Sequence, residues 1–93
     1  MKTKTEEDGW RGFLERCLKV KTVKDLEAYF SLFLTATERQ EIAGRYLIVQ
    51  ELLKGQKTQR EIARDLEVSI ANISRGSNVL KITGIDLKKF LED

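Results

Sequence analysis

The sequence has no histidine and no proline, and it has one cysteine, one methionine and one tryptophan. Without histidine there is no Ser-His or Cys-His nucleophile pair, and a zinc site lacks its usual ligands. A single cysteine excludes a disulfide within the chain. No proline and few β-branched runs point to an all-α chain. No apolar run approaches the roughly 20 residues of a membrane span, and the N-terminus is too charged for a signal peptide. These absences make a cytoplasmic protein the expectation, with no membrane partner, no metal and no enzymatic activity. Paired carboxylates in an apolar setting and a phosphate loop are also missing.

Hydrophobic residues form 41% of the chain and charged residues 34%, the balance of a globular protein. Ninety-three residues make one domain, expected to span 1–93. A chain this short buries only about 60–65% of its unfolded surface, so its own core is marginal and a core shared between copies is indicated. Net charge is +2, but its distribution says more. Residues 1–53 carry nine basic and nine acidic side chains, residues 54–81 six basic and three acidic. The excess (Lys54, Lys57, Arg60, Arg64, Arg75 and Lys81 against Glu61, Asp65 and Glu67) sits where an anionic backbone would be met.

Residues 1–8 read as a flexible arm and 10–55 as a dimerisation core. Trp10, Phe13, Leu14, Cys17 and Leu18 recur at i, i+3, i+4, i+7 and i+8, one apolar stripe of a first helix. Cys17 within that stripe reads as a small buried hydrophobe. Thr22 and Asp25 cap a second helix carrying Val23, Leu26, Tyr29, Phe30 and Phe33. Its aromatics are either the core of a tightly packed monomer or an interface wrapping a partner copy. Thr35 and Glu38 have capping-box spacing ahead of a third helix that runs to about Lys54 and stops at Gly55. Its apolar face is Ile42, Tyr46, Val49, Leu52 and Leu53, broadened by Leu47 and Ile48. Arg45 lies near that face, where a planar or carboxylate ligand would use a guanidinium. Leu87, Phe90 and Leu91 mark a last helix over 85–93.

Residues 58–82 carry the most specific pattern. Thr58 and Glu61 form a capping box, Ile62, Ala63 and Leu66 share a face, Val68 fills a turn, and Ser69 caps a helix with Ile70 and Ile73 inward. The small Ala63 permits two short helices to cross closely. This is the logic of a helix-turn-helix, although an ordinary helical hairpin fits the same pattern. Glu67 occupies the turn position where glycine is cheapest, so it either bears strain or sits in another turn.

The segments Leu32-Phe33-Leu34-Thr35, Arg45 to Gly55, Thr58 to Glu61 and above all Ile73-Ser74-Arg75-Gly76-Ser77-Asn78-Val79-Leu80-Lys81 resemble the tryptophan repressor family, in order and spacing, over about residues 10–93. The resemblance implies an all-α, six-helix intertwined homodimer with a helix-turn-helix. It implies an L-tryptophan-dependent transcriptional repressor that binds a double-stranded DNA operator, a pseudo-palindrome at tryptophan-related genes. The alternative is a DNA-binding regulator of the same fold with a changed or lost ligand. Carried over by position, Arg45 and Arg75 would sandwich the indole, with Arg75 also pairing with the carboxylate. Gly76 would leave room for the ring and Val49 would line it. Leu32 and Leu34 would offer backbone carbonyls to the ammonium, and Thr35 its hydroxyl near the carboxylate. At Val79 the best-known members place a serine that meets the ammonium; losing such a bond costs about 1–3 kcal/mol. On the DNA side, Gln59 and Arg60 would contact phosphates and base edges, while Ile70, Ala71, Asn72 and Ser74 would face the groove. Ala63 stands where a lysine is common.

Overall fold

The computed structural model describes residues 5–82 and Lys89, and the helix expected over 85–93 lies outside the described residues. The chain divides between Thr35 and Ala36 into two compact units, each built from its own helices.

The first unit holds α1 (Glu6–Cys17) and α2 (Val23–Ser31). α1 starts earlier than the sequence periodicity suggested, so residues 6–8 of the expected arm are helical. The cause is a capping box: the Thr5 hydroxyl accepts from the Asp8 amide at 3.1 Å, and the Asp8 carboxylate accepts from the Thr5 amide at 3.0 Å. The same backbone bond holds the Asp8 carboxyl below its ordinary pKa. Thr22 caps α2 through the Asp25 amide, as its spacing predicts. The helices are joined by aromatics. The Phe13 ring stacks on Trp10, Tyr29 and Phe30 at centroid distances of 5.6, 5.3 and 5.8 Å and meets Phe33 edge-on at 5.4 Å. Tyr29 donates its hydroxyl to the Phe13 carbonyl at 3.0 Å. Neither helix contains a buried residue.

The second unit holds α3 (Ala36–Lys54), α4 (Gln59–Leu66) and α5 (Ile70–Ile82). α3 starts directly after Thr35 and ends before Gly55, whose φ of 65° is the left-handed value that stops a helix. Thr58 and Glu61 form the expected capping box, with bonds of 3.0 and 3.1 Å. Ser69 caps α5 by accepting from the Asn72 amide at 3.3 Å. The core is small: Ile48 from α3, Ile62 and Ala63 from α4 and Ile73 from α5 are buried, and Leu52, Leu66 and Val68 pack against them.

Two details differ from the pattern. On α3 the innermost residue is Ile48, whereas Ile42, Tyr46 and Leu47 remain about half exposed, because α4 and α5 cover only one side of that helix. On α5 only Ile73 is buried, and Ile70, expected beside it, is 47% exposed. The turn itself settles the question raised by Glu67: it adopts φ 56° and ψ 45°, and the Val68 amide bonds back to the Ala63 carbonyl at 3.0 Å. Glu67 therefore takes the left-handed position of the turn and bears its strain. No helix among the described residues is long and apolar enough to cross a membrane.

Candidate functional site

The packing of α5 across α3 leaves a cleft of about 820 Å³ within the second unit. That is within the usual range for sites that hold a small organic ligand. One wall is a stripe of α3 at helical spacing, from Thr37 through Glu41, Arg45, Ile48 and Val49. The opposite wall is a stripe of α5 formed by Asn72, Arg75, Gly76, Val79 and Leu80, and Val68 reaches in from the turn. Five of the predicted ligand residues are thus brought together: Arg45, Val49, Arg75, Gly76 and Val79. Leu32, Leu34 and Thr35 belong to the first unit, where Leu32 is exposed and Leu34 half-buried.

The lining sets two cations and one carboxylate, with the polar Thr37, Gln40 and Asn72, around an apolar floor. Arg45 and Arg75 come from different helices and are both exposed at the cleft, where Ile48, Val49, Val68, Val79 and Leu80 provide the apolar surface. Arg45 has an acidic neighbour one turn earlier, Glu41, at 4.0 Å. A pair this long and this exposed contributes little to stability, so it leaves the guanidinium available. Arg75 has no ion pair among the described residues. Two guanidinium groups on one cleft repel each other until an anionic or electron-rich group comes between them.

Gly76 has a structural duty that its sequence position did not reveal. A Cβ there would sit 3.3 Å from Ile48 Cγ2 and 3.4 Å from Leu52 Cδ1. Its missing side chain lets α5 approach α3 closely at the wall of the cleft.

The predicted DNA-facing residues lie around the start of α4 and the first turns of α5. Gln59, Arg60, Ile70, Ala71 and Asn72 are exposed and Ser74 is half-buried. Ser74 donates its hydroxyl to the Gln59 side-chain oxygen at 3.1 Å, which ties the entry of α4 to α5. Asn72 also lines the cleft, so it stands where the two surfaces meet.

The basic excess of residues 54–81 is smaller in space than in sequence. Lys57 pairs with Asp65 at 2.9 Å and with Glu51 at 3.7 Å; Glu51 also holds Lys54, and Asp65 also holds Arg64. The Asp65 bond raises the Lys57 pKa above its ordinary value, and Lys57 in turn lowers that of Asp65. Arg60, Arg75 and Lys81 remain as cations without an ion pair among the described residues. Sequence reasoning missed this network, because Glu51, Lys57 and Asp65 follow no helical spacing. It also missed Thr37, Glu41 and Ile48 as lining residues, although all three lie at turn spacing from Arg45.

Comparison with known proteins agrees with this architecture. A family model described as Trp repressor protein matches residues 8–93. The chain is 50% identical over 93 residues to the Trp operon repressor homolog of Chlamydia caviae, a match covering 100% of this chain and 92% of that one. It is 51% identical over 87 residues to the homolog of Chlamydia trachomatis serovar D, covering 94% and 93%. With that of Vibrio vulnificus it shares 35% over 82 residues, covering 88% and 80%.

Proposed function

The chain belongs to the Trp repressor family, and from that membership we propose that it is an L-tryptophan-dependent transcriptional repressor acting as a homodimer on a pseudo-palindromic operator of tryptophan-related genes. The observation that carries this reading is the placement of Arg45 and Arg75, from two helices, on one apolar-floored cleft. An indole between the two guanidinium planes is held by cation–π attraction, and the ligand carboxylate pairs with Arg75. Val49 lines the ring. The family resemblance gives the ammonium to the carbonyls of Leu32 and Leu34 and the carboxylate to the Thr35 hydroxyl as well.

Ligand and DNA surfaces share α5. Arg75 and Gly76 hold the ligand, while Ile70, Ala71, Asn72 and Ser74, with Gln59 and Arg60 on α4, meet the operator. A ligand wedged behind α5 favours one orientation of the reading helix, and this is how a small molecule with different affinities for two arrangements shifts their populations. In the homodimer the two reading helices lie about 34 Å apart, as in helix-turn-helix dimers generally, Trp repressors included, and the operator is correspondingly a pseudo-palindrome.

Titration calorimetry with L-tryptophan, and operator binding with and without it at stated salt, test the reading. Heat on titration and tighter operator binding in the presence of tryptophan are expected; absence of both overturns it. DNA binding also weakens steeply as salt rises, because phosphate contacts release counterions. Val79→Ser adds a hydroxyl at the ligand ammonium and tightens tryptophan binding by about tenfold. Unchanged binding would place the ammonium elsewhere.

Val79 also supports a second reading, a regulator of this fold with a changed ligand, since its side chain offers no hydrogen bond at the cleft. Full operator affinity in ligand-free protein would select it.

A further inference from the structure

Besides its two arginines, the cleft is lined by a single acidic side chain among the described residues, Glu41. It lies on α3 one turn before Arg45, with its Oε2 atom 4.0 Å from Arg45 Nη2. That distance is at the outer limit of an ion pair, and both side chains remain more than half exposed, at 54% and 69%. Glu41 is therefore not consumed by Arg45. Its carboxylate keeps acceptor capacity facing the cleft.

The charge pattern is thus mixed: two guanidinium groups, one carboxylate, and at Val79 a side chain with no polar atom. A ligand carrying only a negative charge would pair with an arginine but meet Glu41 as a like charge. A ligand carrying both a carboxylate and an ammonium satisfies both signs. The Val79 side chain has no acceptor for an ammonium, and Glu41 provides a charged one, the stronger kind. We propose that Glu41 determines specificity in this cleft, accepting the ligand's ammonium and so selecting an aromatic amino-acid zwitterion over the corresponding aromatic acid. This rests on the tryptophan reading and adds a charged acceptor to those already proposed for the amine.

The test is calorimetric titration of the full chain and of Glu41→Gln with two probes, L-tryptophan and indole-3-propionate, which lacks the amine. Glu41→Gln keeps the shape of the side chain at an exposed helix position, so folding is retained. The parent is expected to bind tryptophan at least tenfold more tightly than indole-3-propionate, and Glu41→Gln to reduce that ratio by about tenfold. The ratio is the decisive readout. A residue that merely steadied Arg45 would move both ligands alike and leave the ratio intact. Binding of both probes with a ratio that the variant leaves within twofold overturns the role of Glu41 alone. A parent that prefers indole-3-propionate overturns it too. If neither probe binds the parent, the tryptophan reading fails and takes this proposal with it.

Discussion

In the first unit the rings of Trp10, Phe13, Tyr29, Phe30 and Phe33 meet one another, yet no residue of α1 or α2 is buried. In the second, Ile48, Ile62, Ala63 and Ile73 are buried with far less aromatic surface around them. Three helices close over one another in the second unit, whereas two helices cannot cover both sides of a ring cluster. Trp10 and Phe33 stay 61% and 56% exposed, and Leu18, Val23 and Leu32 more so. Exposed apolar side chains of this size, where they adjoin, mark a surface used for binding. The second unit holds its own core and builds the cleft, and the first leaves an aromatic face exposed, as the proposed homodimer requires.

The largest effect is expected in the second unit. Ile73 is fully buried, and Ile73→Ala leaves a cavity in a core of four residues. A loss of about 4 kcal/mol is expected, read as a lower urea midpoint with an unchanged slope. A loss below about 1 kcal/mol would mean that this core does not hold the unit and would erase the contrast.

Next is Trp10→Ala. The change improves helix propensity, so α1 itself is not harmed. What it removes is a large exposed ring stacked on Phe13. Self-association is expected to weaken by about 3 kcal/mol, roughly a hundredfold in Kd, measured by sedimentation over a dilution series. Because the chain has only one tryptophan, the emission of the parent reports the same event and moves to the red on dilution. Sedimentation unchanged by the substitution would show that the aromatic face is not the interface.

The contrast also explains what was legible in the sequence. The five described helices and their caps came through because Thr22, Thr58 and Ser69 act on amides three residues away, within reach of any local reading. The Thr5–Asp8 box is equally local, but it lay ahead of the first apolar residue and was taken for an arm. Arg45 stood out by its place beside the apolar face of α3, Arg75 and Gly76 through the family resemblance, and all three line one cleft. Contacts that join separate elements were not legible. Nothing in the spacing pairs Lys57 with Asp65, or aims the missing Cβ of Gly76 at Ile48. Nor could the exposure of Ile70 be separated from the burial of Ile73, since both follow the same cap.

Glu67 gives a smaller, opposite effect. Its left-handed backbone costs a residue with a side chain about 1–2 kcal/mol, while glycine gives back about 0.5–1 kcal/mol through the freedom of its unfolded state. Glu67→Gly should therefore stabilise the chain by about 0.5–1 kcal/mol, seen as a higher urea midpoint. Destabilisation would mean that the Glu67 side chain contributes something its exposed position does not show.

The smallest effect concerns pH, and it separates the units again. In the second, the bond from Lys57 lowers the Asp65 pKa from 3.8, and the Thr58 amide lowers that of Glu61 from 4.5. A carboxyl lowered on folding stabilises the protein above its ordinary value, and the contribution is lost as pH falls through the folded value. Stability is therefore expected to decline on acidification from about pH 5 downwards. Lys57 runs the other way: Asp65 raises its pKa from 10.5, so its contribution is complete below that value and disappears as pH rises through the folded one. Because one contact causes both shifts, Asp65→Asn should flatten the acid limb and the alkaline limb together. Part of each limb remains. Asp8 and Glu61 still titrate on the acid side. On the alkaline side Tyr29, raised by burial among its neighbours, still needs its proton to donate to Phe13 in the first unit. Urea midpoints of parent and variant across the pH range measure this. Curves that stay parallel would show that the network is solvated ions, and that the second unit owes its stability to the four-residue core alone.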